Sequence, residues 1–276
     1  MTTKFFLDSG DPKETEAALE LLGSLDGQTT NPSLIAKNPD AAGKKFSEAE
    51  IYAFYRGVVR KVSDLVGPEA SVSIEVYADS STKAESMLAQ AREFNAWIPN
   101  AHIKLPVTAE GLKAAEILVK EGIRVNMTLV FSQEQAAAVY VATKGAKKGD
   151  VFLSPFIGRL DDRGENGMDL IKNIVEMYKA GDGHVAVLSA SVRNMHHFVK
   201  CLEYKSDIIT APLKTFQEWV AAGKPEVLTG AAAGDLKPLP YKNVSLENAY
   251  GEYNIQHELT DKGIAKFAQD WNNLIA

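Results

Sequence analysis

The sequence predicts a single (β/α)8 barrel, a TIM barrel, over residues 1–276, with an additional C-terminal helix. Short apolar runs alternate with amphipathic stretches for most of the chain, and eight strand–helix pairs can be counted. Parallel strands each need a crossover long enough to hold a helix, and the spacing supplies one every time. A length of 276 residues is also typical of a closed barrel. The alternative is an open doubly wound sheet, which would usually carry a glycine-rich phosphate turn after its first strand. Here that turn reads Asp8-Ser9-Gly10-Asp11-Pro12, acidic and with one glycine, so the barrel is preferred.

In chain order, the strands are expected at 4–8, 27–30, 71–77, 101–105, 123–129, 151–154, 184–190 and 207–210. All but 27–30, which reads Gly-Gln-Thr-Thr, are short runs centred on apolar residues. After the third, Ser81 or Thr82 is expected to begin a helix carrying Met87, Leu88 and Ala91. After the fourth, 108–121 places Leu112, Ala115 and Val119 on one face. It opens on Thr108 as a cap and stops at Gly122. Ser132 opens a helix at 132–143, and 168–179 carries Leu170, Ile171, Ile174, Val175 and Tyr178 at helical spacing. The segment 223–256 breaks the rhythm: Gly223, Pro225, Gly230, Gly234, Pro238 and Pro240 mark a loop-rich excursion. A helical stripe then resumes at 259–275 through Ile264, Phe267, Ala268, Trp271, Leu274 and Ile275. It is expected to pack over the barrel, and an oligomer contact along it is left open.

Composition narrows the function. The chain is 45% apolar and 24% charged, with no run long enough to span a bilayer, so no membrane role is expected. The net charge of −6 is spread along the chain, which disfavours a nucleic-acid partner. The lysines from Lys144 to Lys148 are read as the solvated end of a helix. The lone Cys201 excludes an intrachain disulfide and is read as a buried small hydrophobe. No metal-ligand spacing is present, and His102, His184, His196, His197 and His257 form no evident shared site, so neither metal nor cofactor is expected. The N-terminus lacks the apolar core of a signal peptide, and a cytoplasmic location is expected.

In a barrel the active site sits at the C-terminal ends of the strands. Those ends hold Asp8, Thr29 with Thr30 and Asn31, Glu75, Lys104, Asn126, Ser154 and Ser191. Strand ends meet solvent, so any one polar residue there is unremarkable. A glutamate, a lysine and an amide flanked by aliphatics are different, because each is costly to bury unless it serves a shared polar cavity. Lys104 stands between Ile103 and Leu105. Desolvation there would draw its pKa down from about 10.4 and free the amine as a carbonyl nucleophile. Arg159 and Arg193 follow the sixth and seventh strands, where guanidinium forks suit a phosphate dianion; surface salt bridges are the alternative. Together these residues suggest Schiff-base chemistry on a phosphorylated carbonyl compound. The lysine attacks, water leaves, and the iminium draws electrons from a neighbouring C–C bond. Asp8 and Glu75 are available to move protons.

Several segments carry a family resemblance. They are Leu-Asp at 7–8, Thr-Thr-Asn-Pro-Ser-Leu at 29–34, Glu75, Ile-Lys-Leu-Pro at 103–106 and Asn-Met-Thr-Leu-Val-Phe-Ser at 126–132. Ser-Pro-Phe-Ile-Gly-Arg at 154–159, Ala-Ser-Val-Arg-Asn at 190–194 and the C-terminal stretch from Leu259 to Trp271 complete them. The chain resembles the transaldolases and the related short fructose-6-phosphate aldolases. That resemblance implies that Lys104 forms a Schiff base with the C2 carbonyl of a ketose phosphate. It implies that Asp8 takes the C4 hydroxyl proton, and that Glu75 serves carbinolamine formation and dehydration through a water. Thr29, Asn31, Asn126, Ser154 and Ser191 would line the substrate, Phe156 would wall the cavity, and Arg159 and Arg193 would bind the phosphate. The implied reaction moves dihydroxyacetone from sedoheptulose 7-phosphate to glyceraldehyde 3-phosphate, giving erythrose 4-phosphate and fructose 6-phosphate, in the non-oxidative pentose phosphate pathway.

Within the family, the aldolase-type members are similar to this chain in Lys-Leu-Pro-Val-Thr-Ala-Glu-Gly, yet tend to carry glutamine at the Glu75 position and tyrosine at the Phe156 position. Both positions here are of the transferase type. Three alternatives stand beside the transaldolase: a fructose-6-phosphate aldolase, a sulfosugar transaldolase, and a catalytically idle barrel that binds sugar phosphates.

Overall fold

A computed structural model of the chain describes residues 3–227 and 235–276. Eight parallel strands close into a barrel in sequence order, with the last strand paired to the first. The order is β1 (Lys4–Asp8), α1 (Pro12–Leu22), β2 (Gly27–Thr29), α2 (Pro32–Ala36), α3 (Glu48–Val66), β3 (Ser71–Glu75), α4 (Ala84–Asn95), β4 (Ala101–Pro106), α5 (Ala109–Lys120) and β5 (Val125–Val130). It continues with α6 (Gln133–Ala142), β6 (Val151–Pro155), α7 (Ile157–Asp161), α8 (Gly167–Tyr178), β7 (Val185–Ser189), α9 (Met195–Glu203), β8 (Ile208–Ala211), α10 (Leu213–Ala221) and α11 (Glu258–Asn272). All eight expected strands are found, each within a few residues of its predicted bounds. Among the described residues, no helix is long and apolar enough to cross a membrane.

The caps show why the helices begin where they do. Thr108 accepts a hydrogen bond from Gly111 N and Ser132 from Gln135 N, as their sequence positions predict. The expectation for Ser81 or Thr82 is corrected. The helix starts later, at Ala84, and Lys83 before it makes no side-chain cap. Both Ser81 and Thr82 instead donate to the Asp79 carboxylate, closing a tight turn. Ala84 N is satisfied across the surface by Glu110 of α5. The Asp79 turn holds both hydroxyls ahead of the helix, and Lys83 takes the cap position.

Strand alternation sorts the residues into two faces. Outward, Ile103, Leu105, Val125, Met127, Val151 and Leu153 are wholly buried beneath the helices. Inward, the half of the barrel near the strand starts is filled by Phe6, Phe152 and His102. Phe6 meets Phe152 edge-on and His102 stacks flat against Phe152. The other half, toward the strand ends, holds Ser73, Glu75, Lys104, Asn126 and Ser154. Cys201 is buried in α9, as expected.

Residues 228–234, part of the 223–256 excursion, lie outside the described residues, and Gly230 and Gly234 fall among them. The rest of the excursion is tied down by one parallel bridge, Lys237 to Glu165, and by side chains. Gln133 exchanges two hydrogen bonds with the backbone of Lys242. Asp169 accepts from Leu239 N, and Asn173 donates to Leu239 O.

The C-terminal helix α11 lies across the strand ends, as the stripe at 259–275 predicts. Its Thr260 hydroxyl donates to Leu129 O at 2.9 Å and accepts from Gln135 Nε2 at 2.9 Å. Leu129 has a φ of 61°, rare for a side chain of its type, at the point where the β5–β6 register slips. Gly263 faces this corner: a Cβ there would come within 2.6 Å of both Arg159 Nη1 and Leu129 Cδ2. Further along, Asp270 accepts from Ser33, and Trp271 packs against Tyr52 and Tyr55. Thr260→Val keeps the shape but leaves Leu129 O and Gln135 Nε2 short of a partner. Each such loss costs about 1–3 kcal/mol when buried. Urea unfolding should therefore show a loss of about 2–4 kcal/mol, and an unchanged midpoint would refute this account of how α11 is held.

Candidate active site

A cavity of about 450 Å³ opens at the C-terminal ends of the strands. Its walls include Asp8, Thr29, Asn31, Lys104, Ser154, Phe156, Arg159, Ser191 and Arg193, nine of the eleven residues singled out in the sequence. Glu75 and Asn126 stand just behind this wall.

Lys104 is 2% exposed and Glu75 5% exposed. Lys104 Nζ lies 2.9 Å from Glu75 Oε2 and donates to Thr30 O at 3.2 Å. The contact with Glu75 is one of charge rather than an aligned hydrogen bond, so Oε2 retains an unmet capacity to accept. The aliphatic neighbours Ile103 and Leu105 do not desolvate the amine. Adjacent strand residues point to opposite faces, and these two lie under the helices. The low-polarity surround comes from two rings instead, Phe156 and Phe267, each with its centroid 5.9 Å from Nζ.

Burial raises the proton affinity of the Glu75 carboxyl above the usual carboxylate range, and the neighbouring Lys104 opposes that rise. The backbone around it is held by a relay. Glu75 N–H donates to Tyr55 OH, which bonds Thr30 Oγ1, which donates to Ser73 O. Beside Glu75 a space of about 10 Å³ is closed by Leu129, Ile264 and Phe267. That is about the room one water needs.

Asp8 lies on the other side of the cavity. Its Oδ1 accepts from Thr29 Oγ1 at 2.7 Å, and the Thr29 oxygen lies 2.6 Å from Thr210 Oγ1. Burial at the barrel mouth raises the Asp8 carboxyl as well, against the pull of Lys104 and of the Thr29 hydrogen bond. Asn31 is the cap of α2, accepting from Leu34 N at 2.9 Å with Pro32 at the first helical position. Thr-Thr-Asn-Pro thus encodes a strand end, a cap and a helix start in consecutive residues. Asn126 sits one strand from Lys104, where its amide joins Ser73 at 3.0 Å to Ser154 at 2.6 Å. Its carboxamide orients Ser154 toward the cavity from below.

Ser-Pro-Phe-Ile-Gly-Arg has a steric reason. A Cβ on Gly158 would stand 2.5 Å from both Ser191 O and Arg193 Nε, so only glycine lets the β6 and β7 loops close on one another. Ser191 itself takes a φ of 57° at that closure. Arg159, on the next residue, is held between two rings, with its guanidinium 5.1 Å from the Phe156 centroid and 5.2 Å from Phe267. Arg193 differs. It reaches the cavity wall, but its fork is engaged by the Asp162 carboxylate, the surface-pair alternative weighed for it.

Several contributors were not singled out in advance. Thr210 lies next to the end of β8 and obeys the same strand-end rule that found its seven counterparts. Tyr55 reads as a core aromatic on α3, and nothing local marks its hydroxyl as the support of Glu75. Phe267 belongs to the apolar stripe of α11, so its membership of the stripe was visible but its contact with Lys104 and Arg159 was not. Ser33, Lys37, Lys266 and Asp270 line the rim. Among the described residues no group of three or more His, Cys, Asp or Glu side chains is arranged to hold a metal ion.

Comparison with known proteins gives the family of the chain. Residues 5–276 match the family described as Transaldolase/Fructose-6-phosphate aldolase, and the chain belongs to that family. A protein from Dehalococcoides mccartyi named "Probable transaldolase" is 35% identical, covering 98% of this chain and 99% of its own. Another of that name from Chlorobaculum parvum is 39% identical, with 97% of each chain covered. Among solved structures, an enolase-superfamily member from Agrobacterium tumefaciens superposes with a TM-score of 0.51 at 10% identity, over 78% of this chain and 51% of that one. The chain spans about half the length of that structure, and the likeness is one of barrel fold alone.

The raised Asp8 carboxyl has a stability consequence. The folded state holds the proton more tightly than the unfolded chain, so stability is lost as pH rises from the ordinary aspartate value of about 3.9 through the raised folded value. Asp8→Asn keeps the acceptor for Thr29 and removes the charge. Thermal unfolding should show the variant more stable than the parent at pH 8, with the gap closing toward pH 4. A parent that is the more stable at pH 8 would contradict the assignment.

Proposed function

We propose that this chain is a Schiff-base transaldolase that moves a dihydroxyacetone unit between sugar phosphates. The observation that carries the reading is a buried lysine at a cavity floor with a carboxylate on either side, Glu75 in contact and Asp8 across the cavity. Glu75, its proton affinity raised by burial, is placed to accept the ammonium proton of Lys104 and free the amine to attack a C2 carbonyl. A water in the space beside Glu75 can then relay protons as the carbinolamine loses water to the iminium.

Asp8 accepts the C4 hydroxyl proton while the C3–C4 bond breaks. Its electrons pass to the iminium, leaving an enamine on Lys104 and a free aldehyde. Thr29, Asn31, Ser154 and Ser191 offer partners to the hydroxyls of the retained unit, with Asn126 orienting Ser154. Arg159 takes the phosphate at the cavity mouth, with Arg193 beside it. Addition of the enamine to a second aldehyde and hydrolysis of the imine return the ketose.

Phe156 bears on the fate of the enamine. A phenyl ring has no hydroxyl to hold a water or pass a proton, so the enamine is protected from protonation until an aldehyde arrives. This favours transfer over release of free dihydroxyacetone, as does a glutamate at position 75. The expected donor is sedoheptulose 7-phosphate or fructose 6-phosphate, with glyceraldehyde 3-phosphate or erythrose 4-phosphate as acceptor.

Incubation with fructose 6-phosphate followed by borohydride should leave a dihydroxyacetone-derived mass on the Lys104 peptide. No adduct there would sink the reading. Lys104→Ala should abolish turnover, with far-UV circular dichroism unchanged. Phe156→Tyr should raise free dihydroxyacetone relative to transfer product, measured with and without erythrose 4-phosphate; an unchanged ratio would count against the role given to Phe156.

A further inference from the structure

A second cavity, of about 510 Å³, opens at the opposite mouth of the barrel. It lies where β1, β6, β7 and β8 begin, so β1 runs from Lys4 at this mouth to Asp8 at the other. The intervening distance is about 13 Å at the usual strand rise. In barrel enzymes this end serves stability rather than chemistry, and nothing in the proposed reaction uses it.

Its chemistry is two-part. Lys4, Lys148, Lys179 and Lys205 surround it. Of these, only Lys179 has a carboxylate within ion-pair distance, Glu176 on its own helix, among the described residues. The single carboxylate in the wall, Asp207, accepts the backbone N–H of Val187 at 2.8 Å. A chain of net charge −6 thus gathers four lysines against one wall carboxylate around its second large hollow. The floor is apolar and rigid. Phe152 is 4% exposed, and His102 is stacked on it with centroids 3.9 Å apart and planes 8° apart. The His102 ring is itself pinned, because Nε2 donates to Gly149 O at 2.9 Å. Opposite stand Tyr178 and Val175 of α8. Ala186 is the inward residue paired with Phe152 across the β6–β7 ladder, and its small side chain leaves the hollow open.

A bare inorganic anion has no use for the aromatic floor, and a neutral sugar has none for the lysines. We propose that this mouth is a second ligand site, separate from the Lys104 cavity, that takes a phosphate monoester with a flat, ring-bearing body. The ring rests on Phe152 and Tyr178 while Lys4, Lys148 and Lys205 meet the dianion. The cavity size lies within the range of about 300–1,000 Å³ usual for small-molecule sites, and its preformed floor reduces the ordering cost of binding. Its distance from Lys104 makes it a place for an effector rather than a substrate.

The test uses 1-naphthyl phosphate as probe and isothermal titration calorimetry on the full-length protein. Because the Lys104 cavity can also hold a phosphate, every titration is run on the Arg159→Ala background. Saturable binding is expected there, and Lys4→Ala with Lys205→Ala should weaken it by at least about tenfold. Both lysines are exposed, so circular dichroism should be unchanged. Inorganic phosphate and 1-naphthol should each bind at least about tenfold more weakly than the ester. The proposal is overturned by absence of saturable binding on the Arg159→Ala background, by indifference to the two lysine substitutions, or by equal affinity for inorganic phosphate.

Discussion

The opposed charges of Lys104 and Glu75, almost sealed from solvent, set the terms for the rest of this molecule. Taking two charges out of water costs several kcal/mol per ion, and leaving one of them without its partner costs about 3–5 kcal/mol. The fold meets that cost with placed dipoles rather than with water. Thr30 O receives the ammonium, and the relay through Tyr55 and Thr30 fixes the strand that carries Glu75. Tyr55 is itself wedged among Phe94, Trp97 and Trp271. An aromatic core on the outside of the barrel thereby holds a polar group on the inside. The energetic loss at the site and the packing energy of the helices are coupled through one hydroxyl.

The second requirement is closure over the polar set. Strands alone leave Lys104 facing an open mouth. The helix α11, about 150 residues later in the chain, supplies Phe267 over the lysine and over Arg159. Its attachment is specific at three levels: Thr260 on the strained corner at Leu129, Gly263 against Arg159, and Asp270 on Ser33 of α2. Sandwiched between Phe156 and Phe267, the Arg159 guanidinium has few orientations open to it. Its planar fork is thereby ordered at the cavity wall.

The two ends of the barrel divide the work. Toward the strand ends the interior is a hydrogen-bonded polar layer around a cavity. Toward the strand starts it is a stack of Phe6, Phe152 and His102, with lysines at the rim. Side chains at the same depth come from strands spread around the ring, so each layer is contributed by residues scattered through most of the chain. This is why a barrel can keep one end for chemistry while the other is free to acquire a different ligand preference.

Much of this was legible without coordinates. Short apolar runs between amphipathic stretches located the strands, and helical spacing located the terminal helix, because burial imposes those patterns locally. The strand-end rule then located residues that line the cavity, because a parallel barrel forces every strand to end on the same rim. Caps were legible where a hydroxyl had no nearer competitor, as at Thr108 and Ser132. They were missed at Ser81 and Thr82, which the turn around Asp79 holds ahead of the helix start. What tertiary structure alone decided were relations between distant residues: Tyr55 beneath Glu75, Phe267 above Lys104, Asp162 on the Arg193 fork, and the rings rather than Ile103 and Leu105 as the source of the lysine's desolvation. None of these leaves a local trace, since a buried tyrosine or phenylalanine in an apolar stripe reads the same whether it supports a helix or a reacting group. The sequence by itself determined which residues share the rim; the closed packing of helices on the barrel decided which of them touch, because that depends on geometry across the whole ring of strands.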